Sequence, residues 1–551
     1  MTTKEDPDFK RACREILEMV LNGEITDEAQ LSSIKKKVSK HYKLPSMPRN
    51  ADIMITGTDE EQKKARETLR RKPVRTISGV AVIAAMTSPA PCPHGICLPC
   101  PGGPDSEFCS PQSYMGREPS TMRAIQNEYD PYRIVSTRLK QLKMNGHDVS
   151  KAELIVMGGT FSARSIDYQE WYTKRCLEAM NDFYGTQWRD EAEPIGKELP
   201  YFTLEDVQQA NETGKVRNTG ITFETRPDWT GKEHVDRMLD LGATKVEIGV
   251  QSTYDFVLSR MKRGHTVADS VEANRMLRDS ALKVGFHMMP GLPGMDRERD
   301  LRNFKRLFED PRFKPDYLKI YPTLVTEGTE LHKMWERGEY DALNDTDAVD
   351  LLAEVKSCIP KWVRLQRIQR DIPAQQILAG VRKSNVRQLA HEKLIHDGGK
   401  CRCIRCREVG HNVLKGKEPN VENVELTVEK YDCCEGEEYF IAFEDTLQDI
   451  LIGFLRLRFP DKPHRPELQN TALVRELHVY GSAVAVGDEA KSNDWQHRGY
   501  GSELVACAER ISYDSGYSKI AIISGIGVRE YYRKIGYNRE GAFMCKQLNG
   551  Q

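Results

Sequence analysis

"APCPHGICLPCPGGPDS", Ala90–Ser106, places three cysteines among prolines and glycines, spaced Cys92-x4-Cys97-x2-Cys100. The Pro/Gly content marks a loop. Three thiolates make an incomplete tetrahedron. Structural zinc takes four protein ligands, so a zinc site would draw on His94 or Cys109. A [4Fe-4S] cluster also takes four ligands, and three protein thiolates leave one iron open to a substrate or cofactor. A disulfide would strand one thiol. Fourteen cysteines in 551 residues, with no secretory signal, also point to a reducing, cytoplasmic setting. The spacing alone leaves iron–sulfur and zinc open.

Reading outward, an apolar, β-branched run, "SGVAVIAAM" (78–86), leads into the cysteine loop. Similar runs recur: "AELIVMGGTF" (152–161), "TGITFETRPD" (219–228), "KVEIGVQS" (245–252), "KVGFHMMPGLPG" (283–294) and "YLKIYPTLV" (317–325). Helical stretches separate them. Repeated β-α units predict a parallel sheet or barrel with its chemistry at the strand C-termini. The cysteine loop follows the first strand, and Gly158-Gly159 ends the second, where glycine lets a ligand approach the backbone. A cluster with an open iron there suits cleavage of S-adenosylmethionine (SAM). Glu224, Arg226, Glu247 and Gln251 fall at later strand ends. They face either the carboxylate and ribose of SAM or each other as buried ion pairs. Lys319 and Tyr321, at the end of a late strand, are candidates to point at the reacting centre.

The composition holds 81 Lys and Arg against 82 Asp and Glu, a net charge of -1. No apolar run approaches the ~20 residues that span a bilayer, so no membrane is expected. The neutral total hides a bias: Leu31–Arg75 carries thirteen Lys or Arg and five Asp or Glu. "FKRACREILEMVLNG" predicts a helix with Phe9, Ala12, Cys13, Ile16 and Val20 on one face. A second helix follows a Thr26 cap, loaded with Lys35, Lys36, Lys37, Lys40 and Lys43, and Pro45 and Pro48 stop it. A second basic patch runs through Lys63, Lys64, Arg66, Arg70, Arg71, Lys72 and Arg75. Each is either a solvated face or a phosphate-backbone contact; two in succession favour nucleic acid.

After Pro373 comes a helical linker and then "KCRCIRCREVGH" (400–411). Cys401, Cys403 and Cys406 suit structural zinc, with His411, His396, Cys433 or Cys434 as a fourth ligand; reduced, unliganded thiols are the alternative. The last ~125 residues change character. "ILIGFLRLRF" and "LVRELHVYGSAVAV" predict paired antiparallel strands. "QHRGYG", Gln496–Gly501, fits the Q/R-x-x-G-x-G/A pattern of GNAT acetyltransferases. There, glycines let backbone N–H groups surround a pyrophosphate at a helix N-terminus. The strand Glu476, Leu477, His478, Val479 would pair with the pantetheine arm of acetyl-CoA. Tyr532 would protonate the departing CoA thiolate.

Over nearly its whole length the sequence resembles the catalytic subunit of Elongator, a family of tRNA uridine(34) acetyltransferases. "CPGGPDS", "MRAIQNEYDPY", "VMGGTF", "ETRPD", "EIGVQS", "RGHT", "KIYPTLV", "QRDIP", "RELHVYGS" and "YYRKIGY" occur in that family's order. The resemblance implies an α/β fold: a radical SAM partial (β/α) barrel, then a GNAT-type mixed α/β domain, behind a basic helical N-terminus. The expected units are 1–74, a tRNA-binding segment; 75–372, the radical SAM domain; 373–415, a linker with zinc; and 416–551, the acetyltransferase. It makes Cys92, Cys97 and Cys100 the cluster ligands, and Gly158-Gly159 the seat of the SAM amino group. It puts acetyl-CoA at Lys151, Glu476–Val479, Tyr500-Gly501-Ser502 and Tyr532, beside Gly499 of the loop pattern. The short gap before Cys97 and the Cys401 cluster resemble archaeal or bacterial forms, in which other Elongator subunits are not required; a homodimer is an alternative.

The implied substrate is the wobble uridine in the anticodon stem-loop of a tRNA. A radical from SAM would take hydrogen from the acetyl methyl of acetyl-CoA, and the carbon radical would add to C5. Thioester hydrolysis would then leave a carboxymethyl-type uridine. A loop base can be splayed into a pocket while basic residues hold the phosphates. The competing readings are a protein lysine acetyltransferase, of the histone type, and a non-catalytic RNA-binding scaffold.

Overall fold

The computed structural model describes residues 6–70, 73–185, 203–481 and 499–548. Arg71, Lys72 and Gln496–Arg498 lie outside them.

The chain opens with helices Pro7–Leu21, Glu28–His41, Asn50–Ile55 and Asp59–Leu69. They bury Phe9, Ala12, Cys13, Ile16, Leu17, Leu31, Val38, Ile53 and Leu69 in a core of their own. The cap of the second helix is Asp27, not Thr26: its side chain accepts from Gln30 N at 2.8 Å. Thr26 instead bonds the Gln30 side chain.

Next come β1 (Ala81–Met86), β2 (Lys151–Met157), β3 (Arg217–Thr225), β4 (Ala243–Gln251), β5 (Lys283–Met288), β6 (Tyr317–Ile320), β7 (Val325–Thr326), β8 (Arg364–Ile368) and β9 (Ile377–Ala379). Seven pair in the order β1-β2-β3-β4-β5-β6-β8, every neighbour parallel, and β7 pairs with β9. β1 and β8 are not paired to each other among the described residues, so the barrel is partial. The sheet still curls: Arg364 NH2 on β8 donates to Ser78 Oγ, just before β1, at 3.5 Å. Strand patterns such as the wholly buried β4 reflect packing on both faces, helices outside and a lumen inside.

The second sheet contains β10 (Val424–Cys433), β11 (Gly436–Asp445), β12 (Ile450–Phe459), β13 (Thr471–Val479), β14 (Lys519–Ile523), β15 (Asn538–Glu540) and β16 (Phe543–Gln547). Its order is β10-β11-β12-β13-β14-β16-β15, antiparallel except β13–β14. The β13–β14 ladder runs only from Thr471↔Lys519 to Val474↔Ile522. Past Val474 the strands part, and the β12–β13 register shifts at Arg456/Leu457. That opening is one wall of a cavity.

The two sheets are locked together. Arg475 donates to Asp316 at 2.7 and 2.8 Å, Arg458 to Asp279 at 2.6 Å, and Arg278 to Glu438 at 3.0 Å. All six side chains are fully buried. Gly525 packs so closely on the start of β3 that a Cβ there would overlap Thr219 O. Among the described residues, no helix is long and apolar enough to cross a membrane.

Candidate functional site

The barrel has two mouths, and each carries a cavity. The one at the strand C-termini, about 170 Å³, is lined by Cys92, Cys97, Cys100, Gly159, Glu224, Arg226, Gln251 and Tyr321, among others. The cysteine loop therefore caps the mouth where a parallel barrel keeps its chemistry. None of the three thiols is in a disulfide. Among the described residues, the groups drawn within 4.8 Å, close enough for one ion, are Cys401-Cys403-Cys406 and Glu224-Glu247-His287. Cys92, Cys97 and Cys100 stand wider apart, as ligands of different irons in one cluster must. N–H groups reach the sulfurs: Gln112 Nε2 to Cys100 at 3.3 Å and Arg263 NH1 to Cys97 at 3.5 Å. Hydrogen bonds to sulfur tune such a cluster. His94 Nε2 lies 3.0 Å from Cys97 Sγ, while Cys109 is exposed and does not line the cavity. The donor set fits a cluster better than a single zinc ion.

Gly158 and Gly159 have φ of +117° and +68°, and a Cβ on Gly158 would collide with Thr87 Oγ1. Gln251 also has positive φ, +66°, and its Oε1 is buried without a partner. Arg226 lines the cavity too, but both its ends are engaged: it pairs with Asp228 at 2.8 and 2.9 Å and donates to Arg263 O at 2.6 Å. Arg263, Arg367 and Arg370 also line this mouth. Arg263 and Arg370 fall within the motifs "RGHT" and "QRDIP" without a predicted role, and Arg367 lies in no quoted motif.

Lys319 lies in the lumen below this cavity. Its Nζ pairs with Glu224 at 3.0 Å and with Glu247. His287 bonds Glu247 at 2.9 Å, and Lys245 bonds Glu153 at 2.8 Å and faces Glu247 at 3.8 Å. Burial works against the Lys319 charge, but the Glu247 and Glu224 carboxylates outweigh it and hold the ammonium well above the usual lysine range. Lys319 is thus a fixed cation, not a base, and it occupies the space between Glu224 and Glu247 that an ion would need. Tyr321 meets His287 edge-on at 5.4 Å on the cavity wall, and burial raises its pKa.

The cavity at the opposite mouth is larger, about 760 Å³, and is shared by both sheets. Lys151, Lys245, Lys283 and Tyr317 of the barrel line it, and Glu476, Leu477, His478, Val479 and Tyr532 close it from the second domain. The Glu476 side chain is committed: it accepts from Arg456 at 2.8 Å and from the Tyr317 hydroxyl. Burial pushes the Tyr532 phenol up, which keeps it protonated and able to donate. Burial also lowers the Lys151 ammonium. Gly499, at φ +88°, caps the helix Tyr500–Asp514. At its N-terminus Gly501 abuts Tyr531 OH, where a Cβ would sit 2.9 Å away, and Ser502 Oγ lies 3.5 Å from the same hydroxyl. Tyr531, the first residue of the motif "YYRKIGY", lines the cavity too, although only Tyr532 has a predicted role there. Gly499–Ser502 form the outer rim rather than the lining.

The Cys401, Cys403 and Cys406 sulfurs come within 4.8 Å of one another, a single-ion arrangement. Of the expected fourth ligands, Cys433 and Cys434 are elsewhere, against Phe313 O and Arg312 O. His396 is exposed beside Asp397, and His411 pairs with Glu408 at 3.1 Å. His391, on the helix Val386–His396, has a buried Nδ1 without a partner, and burial lowers its pKa; it is not drawn within 4.8 Å of all three sulfurs. On the N-terminal unit, Lys36, Lys37 and Lys40 are exposed, whereas Lys35 is half-buried and donates to Asn50 at 3.0 Å. Arg70 is half-buried with a buried Nε, at the end of the fourth helix.

Sequence models of known families match in the same order as these features. Residues 9–77 match the ELP3 N-terminal domain and 92–306 the radical SAM superfamily. Residues 315–396 match the radical SAM C-terminal domain and 411–537 the GNAT acetyltransferase family. The chain is 49% identical to the tRNA uridine(34) acetyltransferase of Methanocaldococcus jannaschii, over 97% of this chain and 96% of that one. It is 42% identical to human Elongator complex protein 3, over 95% and 94%. The solved structure of Methanocaldococcus infernus Elp3, lacking residues 1–46, superposes with a TM-score of 0.74 at 46% identity. It covers 86% of this chain and 100% of that one. Full-length identity, a radical SAM barrel and a GNAT sheet in one chain converge: this protein belongs to the family of tRNA uridine(34) acetyltransferases and Elongator complex protein 3.

Proposed function

We propose that the protein modifies the wobble uridine of tRNA at C5, using SAM radical chemistry at one mouth of the barrel and acetyl-CoA at the other. The observation that carries this reading is the pair of cavities on one barrel, one ringed by Cys92, Cys97 and Cys100, the other shared with the Glu476–Val479 strand. The family domains imply an iron–sulfur cluster, SAM and acetyl-CoA. A cluster held by the three thiolates supplies reductive cleavage of SAM. Gly159 and Gln251 orient that cofactor, and Glu224 is fixed by Lys319. Lys151 and the Glu476–Val479 backbone bind acetyl-CoA, and Tyr532 holds a proton for the CoA sulfur. Gly499–Ser502 offer backbone N–H groups to the pyrophosphate.

Exposed Lys36, Lys37 and Lys40 hold the anticodon stem-loop. Zinc sits on Cys401, Cys403 and Cys406 with His391, in the linker between units that divide near 74, 372 and 415. The test is anaerobic reconstitution with iron and sulfide, then reaction with tRNA, SAM, acetyl-CoA and a reductant, followed by nucleoside mass spectrometry. A carboxymethyl-type uridine at position 34 is expected. Unmodified tRNA with acetylated lysine on a histone peptide would overturn the reading in favour of a protein acetyltransferase.

A further inference from the structure

Lys283 opens strand β5 and lines the larger cavity. Its register partner on β4 is Lys245, so the two ammonium stems leave neighbouring strands at the same level. Their situations differ. Lys245 is bonded to Glu153 at 2.8 Å and lies 4.7 Å over the Tyr317 ring. The nearby Glu476 is likewise taken up by Arg456 and Tyr317. The half-buried arginines on the cavity wall are engaged as well: Arg364 with Glu408, Arg405 with Gln366 O at 3.2 Å, and Arg217 with Gly214 O at 3.2 Å, while Arg75 and Lys534 are exposed to solvent. The Lys283 ammonium makes no hydrogen bond or ion pair among the described residues, although the Glu476, Glu153 and Asp316 charges act on it. A half-buried ammonium left over after its neighbours are matched is expensive unless a ligand supplies its acceptor.

The place of Lys283 says which acceptor. The pantetheine arm is expected along β13 toward Glu476, which lies three residues before Val479, about 10 Å deeper on an extended strand. The thioester end of acetyl-CoA therefore arrives where Glu476, Tyr317 and Lys283 converge on one cavity. The acceptor there is the acetyl carbonyl oxygen. We propose that Lys283 is a catalytic residue of thioester cleavage, its ammonium donating to the acetyl carbonyl oxygen. This deepens the proposed function and rests on acetyl-CoA occupying the larger cavity.

In the step, water adds to the carbonyl carbon and releases its proton to bulk solvent. The C=O π pair moves onto oxygen, where Lys283 holds the developing charge. When the C=O re-forms, the C–S bond breaks with its electrons on sulfur, and Tyr532 protonates that sulfur and is re-protonated from solvent. Placing a fixed donor at a developing oxyanion, in a site partly closed to water, is the kind of aid that lowers such barriers most. Burial, with Lys245 adding to it against the pull of Glu476, lowers the Lys283 pKa to about 8. The donor is then lost in mildly alkaline solution, which gives the proposal a signature.

The experiment measures acetyl-CoA hydrolysis in the presence of tRNA from pH 6.5 to 9.5 for wild type, Lys283→Met and Lys283→Arg. The wild-type rate should fall above about pH 8. Lys283→Met should lower kcat roughly 100-fold, leave KM for acetyl-CoA within about threefold, and lose that alkaline limb. Lys283→Arg should retain part of the rate with no fall near pH 8. A second readout needs no turnover. Wild type should bind the dethia analogue of acetyl-CoA, a ketone with CH2 for sulfur, more tightly than CoA, and Lys283→Met should bind both equally. A Lys283→Met enzyme with wild-type kcat and pH profile, or an unchanged preference for the ketone, would overturn the proposal. If Lys283→Met does not fold, the pH profile and ketone preference of Lys283→Arg decide it. If wild type hydrolyses no acetyl-CoA with tRNA present, the proposed function fails, while ketone binding still judges Lys283.

Discussion

Arg475, on the acetyltransferase strand β13, donates two hydrogen bonds to Asp316, at the entrance to barrel strand β6, at 2.7 and 2.8 Å. Asp316 also accepts from Val284 N at 2.8 Å and faces Arg278 at 3.4 Å and Arg456 at 3.5 Å. Burial opposes its ionisation, yet Arg278, Arg475 and Arg456 together hold the carboxyl far below the usual range. This one carboxylate joins the lower mouth of the barrel to the sheet that closes it.

Removing it should therefore do more than unlock a domain. Asp316→Ala leaves buried guanidinium groups without a counter-charge, a change that costs about 3–5 kcal/mol. The expected result is a large fall in Tm, together with weaker acetyl-CoA binding because the cavity walls separate. Calorimetry and ligand titration check both. A variant with unchanged Tm would show that the surrounding acids, Glu438 and Asp279, carry the network without it. Asp316 has a depressed folded pKa, so its contribution is present above about pH 4, the unfolded aspartate value, and is lost only as pH falls.

Asp300 behaves in the opposite sense. Burial is the main cause that lifts its carboxyl to about 7, against a hydrogen bond from Gly291 N at 2.7 Å. It anchors the loop after β5, whose Met289 lines the cysteine-ringed cavity. A group with a raised folded pKa contributes stability that is complete below the unfolded value, near 3.9, and is lost as pH rises through about 7. Wild type should lose stability over that window. Asp300→Asn, which cannot ionise, should lose less, so their melting temperatures converge near pH 4 and part as pH rises toward 7, where the gap levels off. Parallel melting curves from pH 4 to 8 would contradict this.

These relationships show what the sequence could and could not reveal. The repeated strand–helix units, the glycine pair after β2 and the GNAT loop were legible because they rest on local spacing and residue type. Asp316 and Arg475 are 159 positions apart, and Lys319 and Glu224 are 95. Their pairing depends on β-sheet register and on how one domain docks on the other, which no local pattern encodes. Lys319 and Glu224 were visible as strand-end residues, but not as partners. Lys283 looked like any charged residue at a strand start. The cap of the second helix was misplaced by one residue because Thr26 and Asp27 are both good caps and only geometry chooses between them.

The linker thiols give a metal prediction. Protein purified in air should retain about one zinc per chain on Cys401, Cys403 and Cys406, since a single ion is four-coordinate and closed. His391→Ala should weaken zinc retention against a chelator, whereas His396→Ala should not. Equal zinc loss from both variants would remove His391 as the fourth ligand.

The N-terminal helices give a salt prediction. Replacing exposed Lys36, Lys37 and Lys40 with Gln should weaken tRNA binding for all sequences alike. The slope of log affinity against log salt should drop by about 0.7–0.9 for each phosphate that is no longer neutralised. Replacing Lys35, already bonded to Asn50, should change the slope less. Unchanged slopes in the triple variant would make this face merely solvated.

The last prediction concerns the distance between the two mouths. Lys283 and His287 lie on one strand, four residues apart, yet line opposite cavities. The strand rise puts about 13 Å between those levels. Between them stands the column Glu153, Lys245, Glu247, Lys319 and Glu224, linked by Glu153–Lys245 at 2.8 Å, Lys245–Glu247 at 3.8 Å, the Glu247–Lys319 pair and Lys319–Glu224 at 3.0 Å. A radical acts only near contact, and a misplacement of ~1 Å is costly. Under the proposed function, the acetyl group and the SAM-derived radical are brought together by movement, with tRNA as the ligand that spans the reaction. Acetyl-CoA hydrolysis should be slow alone and rise strongly with tRNA, a gate that spares the thioester. Tyr532→Phe should lower the stimulated rate by removing the sulfur's proton donor. Lys151→Ala should lower it while tRNA affinity stays near wild type. Hydrolysis that is equally fast without tRNA would mean that the two mouths work independently, and that the barrel column separates two reactions rather than parts of one.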